Sequence, residues 1–383
     1  MSVTPLVSPA SDGPRPGSRS SGERLLFVDG LRGLAASWVV LFHADAGGHI
    51  PDLARALPGW LYRPIFQLGG AGIAIFFAVS GFVISHSLRA RTIDAKFFGR
   101  FTLRRAARLD PPYFASIVVF LAFALLSAKV KHEPFEPPAV GRLLAHLFYL
   151  QNILGYAPID IIYWTLCLEI QFYLVYCASE GLAQRLSRRS GGRAAALLVF
   201  GPLAVVALLW GTGTIAALPW PGLFVSHWHG FLLGVFAHWA YTKRAPAYVF
   251  WAFAAILLGA SRTSFNLVCV LTASALVLAG RLGTFGSWMS ARPWQTLGRV
   301  SYSLYLTHGP VTGASFFVLY ALAGKRLVTE AIALPLVLVA CVAVAAGFWW
   351  LVERPCLALS HKLALGTRPR EPERVRASAR AVV

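Results

Sequence analysis

Apolar residues run in long blocks down most of this chain, with polar residues gathered between them. The blocks are roughly 15 to 23 residues long, the length a helix needs to cross a hydrocarbon layer. Ten can be marked off, at about 31–44, 65–85, 111–128, 161–178, 194–211, 223–241, 247–260, 265–280, 300–323 and 331–352. The pattern predicts an all-α polytopic membrane protein, one bundle of about ten transmembrane helices over residues 25–356. An eleventh apolar stretch, 143–152, is only about ten residues long and holds His146 and Gln151, so it predicts a re-entrant or interfacial segment. Residues 1–24, rich in Ser, Pro, Gly and Arg, predict a disordered cytoplasmic tail, and 357–383 a second cytoplasmic tail.

Composition agrees with the pattern. Mean hydropathy is +0.61 and 13% of residues are charged, against about a quarter in soluble domains. The net charge of +19 would point to nucleic acid in a soluble protein. Here most of it follows topology. With ten spans, 27 of the 35 Lys and Arg fall on the side of the N-terminus and 8 on the other. That bias predicts both termini in the cytoplasm and gives no reason to expect nucleic acid. The five cysteines are scattered without a CxxC spacing, so neither a metal site nor a disulfide framework is expected.

A few polar residues interrupt the apolar blocks. The first block, FVDGLRGLAASWVVLFH, carries Asp29, Arg32 and His43. Arg32 and His43 are eleven residues apart, about three turns plus 20°, so they share a helix face roughly 16 Å apart along the axis. That places the arginine near a membrane surface and the histidine near mid-membrane. A titratable group at that depth is costly and points to function; a hydrogen-bonded structural histidine is the plain alternative. Glu169 in WTLCLEIQFYL lies about 12 Å into the fourth span. It could orient a histidine or neutralise Arg32 or another buried arginine. His308 in GRVSYSLYLTH could touch a ligand or bond a neighbouring helix, with Ser301, Tyr302 and Tyr305 beside it.

Ser80 has the chemistry of a nucleophile, although a serine bonding back to its own helix is the commoner case. His227 and His229 make a lone HxH, a weak metal signal. Arg104, Arg105 and Arg108 share helix faces in pairs. They could anchor to anionic lipid or clamp a phosphate, whose oxygens match the guanidinium fork. The basic stretch 86–110 that holds them predicts a loop, and Pro111-Pro112 just beyond it the start of the third span. Trp60, Tyr62, Trp220 and Trp228 read as an aromatic belt on the outer side, or as sugar-stacking groups.

Six motifs then come in order: DGLRGLAA, FFAVSGFVIS, FTLRRAARLDPPYF, WTLCLEIQFYL, GRVSYSLYLTH and LVERP. Together they resemble the membrane-bound acyltransferase-3 family, integral-membrane O-acyltransferases of sugars, lipopolysaccharide, peptidoglycan and some macrolides. The resemblance implies that His43 is catalytic, that Glu169 lines the active site, and that Arg32, Arg105 and Arg108 bind the donor, acyl-CoA and most simply acetyl-CoA. It leaves Asp29, Ser80, Tyr302 and His308 as candidates for contact with substrate, and it calls for no metal. The expected reaction is O-acylation of a carbohydrate or glycoconjugate, in the cytoplasmic membrane of a bacterium. O-acylation of a macrolide-type molecule is the alternative acceptor chemistry. A proton-coupled transporter or flippase would use the same buried charges, but no internal repeat is visible and the basic residues are clustered.

Overall fold

The computed structural model describes residues 25–215 and 222–363. The expectations for the two chain ends fall largely on residues 1–24 and 364–383, and Trp220 also lies outside the described residues.

All regular structure among the described residues is helical. α1 (Leu26–Ala46) is the first predicted span, with Asp29 in its first turn, where the helix dipole favours an acid. The following loop folds into two short helices, α2 (Pro51–Ala56) and α3 (Gly59–Ile65), before α4 (Gly72–Leu88). α5 (Ala95–Lys131) is 37 residues long and starts at Asp94, whose side chain accepts from Phe97 N. α6 (Val140–Leu147) is too short to cross a membrane, as expected for the 143–152 segment. Its His146 is consumed locally: Nδ1 donates to Arg142 O (2.8 Å) and Nε2 accepts from Ile159 N (2.9 Å).

The chain continues as α7 (Trp164–Ser190), α8 (Gly192–Gly211), α9 (Trp228–Tyr241), α10 (Ala247–Ala260), α11 (Ser264–Leu282), α12 (Arg292–Ala323), α13 (Leu327–Phe348) and α14 (Arg354–Lys362). Eight helical stretches among the described residues are long and apolar enough to span. α9 and α10 have 14 residues each. α9 is buried along nearly its whole length, so neighbouring helices, not lipid, set the length it needs. Lipid-facing character lies elsewhere, in exposed apolar side chains such as Val118, Leu197, Leu322 and Val339.

Two expectations need correction. The stretch before Pro111 is not a loop: α5 begins at Ala95 and runs through both prolines. Proline normally costs a helix about 3 kcal/mol. Tertiary packing offsets that here, since Pro112 and Tyr113 are buried and Tyr302 Oη donates to Leu109 O (2.9 Å) just before the prolines. Trp228 is not an external aromatic; it is 1% exposed at the start of α9.

Glycines set the closest helix approaches. A Cβ on Gly81 would overlap the Phe231 carbonyl, and one on Gly234 the Ala78 carbonyl, so α4 and α9 touch backbone to backbone. The α1–α12 crossing is similar, with Gly33 against Gly298. Small residues permit such contact between membrane helices. One apolar core joins α4, α7, α9 and α11 and a second joins α1, α12 and α13.

Candidate active site

Helical spacing gathers the polar residues. Thr165, Glu169 and Tyr173 recur every four residues on α7 and so share one face. Arg105 and Arg108 on α5, and Tyr302 and Tyr305 on α12, are three residues apart and likewise share a face. With Arg32 of α1 and Ser80 of α4 they line one cavity, walled by Ile73, Phe76, Phe77 and Leu166. It has about 70 Å³ of room for water-sized molecules, enough for several waters.

Glu169 is the hub of one hydrogen-bond network. Ser80 Oγ donates to its Oε1 at 2.5 Å, and Tyr173 Oη donates to the same oxygen. The Arg105 guanidinium lies over the Tyr173 ring, 4.2 Å from its centre, a cation–π contact. Tyr305 Oη meets Thr165 Oγ1 (2.7 Å) and the Ile162 carbonyl (2.9 Å).

Glu353 is the second carboxylate. Past α13 the chain takes a π-helical turn, Trp349–Glu353. That turn brings Glu353 inward, 4% exposed, where Ser303 Oγ donates to it at 2.6 Å. It interacts electrostatically with Arg32 and Arg108, and Arg108 also feels the like charges of Arg32 and Arg105. Three guanidinium groups thus meet two carboxylates. The excess positive charge in a confined space suits a phosphate.

His43 stands outside this cavity. It is in the last turn of α1, and its ring lies 5.1 Å from that of His308, half-way along α12. α12 runs about 22 Å beyond that point. His308 is 1% exposed. Its Nδ1 sits on two carbonyls of its own helix, Tyr305 O (2.7 Å) and Leu304 O (3.2 Å). Tyr305 joins the two stations: it lines the cavity, and its ring is 6.0 Å from that of His308.

Near the pair, Asp160 is buried at the foot of α7, and burial pushes its carboxyl up to about 6. One of its oxygens accepts from Ile162 N (3.3 Å). The other faces Gly309, where a Cβ would come within 3.1 Å of it.

Of the residues singled out in the sequence, Arg32, Ser80, Arg105, Arg108, Glu169 and Tyr302 converge on the cavity. His43 and His308 pair with each other instead. Asp29 lies at the α1–α12 crossing, its backbone against Gly298. Arg104 faces α14, with Nη2 3.2 Å from His361 Nδ1. His227 packs among Phe77, Trp164 and Phe265, and no cluster of three metal-ligand side chains occurs among the described residues. Sequence reasoning missed Tyr173, Thr165 and Asp160. The four-residue spacing about Glu169 was the available signal for the first two. Glu353, inside the LVERP motif, escaped because only the π turn brings it inward.

A family model described as an acyltransferase domain, type 3, matches residues 25–352. A protein of Komagataeibacter xylinus named as a candidate membrane-bound transacylase, BcsY, is 28% identical over 326 residues, covering 78% of this chain and 76% of its own. Nodulation protein 10 of Rhizobium leguminosarum bv. viciae is 30% identical over 177 residues, 40% of this chain. This chain spans only 44% of the nodulation protein's length. Protein 2 in the picA locus of Rhizobium radiobacter is 30% identical over 107 residues, 28% of this chain and 49% of its own. No solved structure matches.

Proposed function

The chain belongs to the membrane-bound acyltransferase-3 family, and from that premise we propose that it moves an acyl group, most simply acetyl, from acyl-CoA to a hydroxyl of a carbohydrate or glycoconjugate. The observation that carries this reading is the three-arginine cavity, joined through Tyr305 to a histidine pair. An anion site and a proton acceptor on one path are what a phosphate-bearing donor and a hydroxyl acceptor require.

In this reading the basic half of α5 faces the cytoplasm, in keeping with the distribution of Lys and Arg. The protein sits in the cytoplasmic membrane of a bacterium. CoA phosphates dock on Arg105 and Arg108, and the thioester arm passes Arg32 towards His43. His43 takes the proton from the acceptor hydroxyl. The hydroxyl oxygen bonds to the thioester carbonyl carbon, the C–S bond breaks, and the thiolate leaves and recovers the proton. Glu169 acts at the donor end, because its hydrogen bonds go to Ser80 and Tyr173 while His43 faces Phe42 and His308.

The test is equilibrium binding of radiolabelled acetyl-CoA to purified wild type and the Arg105→Ala/Arg108→Ala double variant. Loss of two charge-assisted contacts lowers affinity by at least about tenfold. Unchanged binding contradicts the donor site.

A further inference from the structure

The residue that prepares His43 for proton transfer is the other histidine. We propose that His308 is the positioning residue of the site: its bare Nε2 accepts a hydrogen bond from one nitrogen of His43, which leaves the other nitrogen of His43 as the base.

Three observations lead there. Both hydrogen-bond partners of His308 Nδ1 are carbonyl oxygens, Leu304 O and Tyr305 O. Carbonyls only accept, so Nδ1 carries the proton, and in a neutral imidazole the remaining nitrogen is then an acceptor. That nitrogen, Nε2, is buried and has no hydrogen-bond partner. A buried polar atom left without a partner costs about 1–3 kcal/mol, and such an atom persists where a ligand or a neighbouring group uses it. The His43 ring packs beside that of His308, with ring centres 5.1 Å apart and planes tilted by 46°, so a turn of the His43 side chain brings one of its nitrogens onto Nε2.

The pairing does for His43 what a carboxylate does in a hydrolase triad: it fixes the tautomer, aims the free lone pair and stabilises the imidazolium as it forms. A neutral imidazole does this without placing a full negative charge beside the thioester. Because His308 is held by its own helix backbone, α12 sets the direction of the His43 ring. The Asp160 carboxyl packs on Gly309, one residue further along α12.

The consequence for turnover rests on the acyltransferase reading; the pairing itself does not. Diethyl pyrocarbonate acylates the unprotonated nitrogen of an accessible imidazole. His43 is half-buried and His308 is closed off, so His43 is the ring of the pair that labels. The full-length protein in detergent is treated with limiting reagent, and labelling of the His43 peptide is timed by mass spectrometry in wild type, His308→Gln and His308→Phe. Glutamine offers an acceptor oxygen and phenylalanine none. Labelling slows at least about tenfold in the Phe variant and stays within about threefold of wild type in the Gln variant, the size of one hydrogen bond to a developing charge. kcat follows the same order while the KM for acetyl-CoA stays unchanged. If the Phe variant is not monodisperse, His308→Leu replaces it. Equal labelling in all variants overturns the proposal, and so does a Gln variant as slow as the Phe variant. Labelling that depends on residue 308 in a wild type that turns over no acyl-CoA retires the reaction and leaves the pair standing.

Discussion

The sequence left Glu169 two roles, to orient a histidine or to neutralise a buried arginine. The structure gives its hydrogen bonds to Ser80 and Tyr173, and through the Tyr173 ring its influence reaches Arg105. A charge beside bound phosphates is worth about 1 kcal/mol or more at moderate dielectric. Glu169→Gln, which keeps an acceptor for both hydroxyls, therefore tightens acetyl-CoA binding about fivefold and leaves the labelling rate of His43 at the wild-type value. A fall in that rate would put the carboxylate back beside the histidine. Asp160 gives a prediction in pH. Its folded-state value of about 6 lies above the roughly 3.9 of an unfolded aspartate. Below pH 4 both states hold the proton, and stability is undiminished. As pH rises through 6, the unfolded chain has already ionised and the folded protein must bury the charge, so stability falls. Asp160→Asn keeps an acceptor for Ile162 N and removes that cost. It raises thermal stability at pH 8, on the order of 2 kcal/mol, and has little effect at pH 4. Equal effects at both pH values would show that the carboxyl is not the source.

At the level of elements, the spans were legible because apolar runs of bilayer length leave few alternatives. Every predicted block corresponds to a helix. What the pattern could not show was decided by tertiary contact. α5 survives its two prolines because its neighbours hold it, and no local rule reports that. The π turn at Trp349–Glu353 is invisible in hydropathy, and with it the place of Glu353. The partner of His43 was hidden for a related reason: His308 lies far away in sequence, and only the α1–α12 crossing at Gly33 and Gly298 brings the two rings together. No local signal shows which helices a glycine joins. Gly81→Ala forces a methyl group onto the Phe231 carbonyl and costs about 1–3 kcal/mol, read as a lower melting temperature and yield in detergent. Gly99→Ala, with open space around it on α5, is neutral or stabilises by about 0.5–1 kcal/mol, the helix preference of alanine over glycine. Similar behaviour of the two variants would contradict the close α4–α9 contact.

Across the whole molecule, the buried polar side chains of the proposed site gather at two stations on one bundle. The arginine cavity draws on α1, α4, α5, α7 and α12, and the histidine pair on α1 and α12 alone. α1 carries a residue of each, Arg32 and His43, on one face and about 16 Å apart. The proposed reaction, with a long donor bound at one end and a hydroxyl activated further along, calls for that separation. The most direct test is binding and turnover of radiolabelled acetyl-CoA by wild type and His43→Ala side by side. The account predicts that the variant binds acetyl-CoA as wild type does and loses turnover by about a hundredfold or more, the scale of a removed general base. Turnover at the wild-type rate in a folded His43→Ala protein would contradict it.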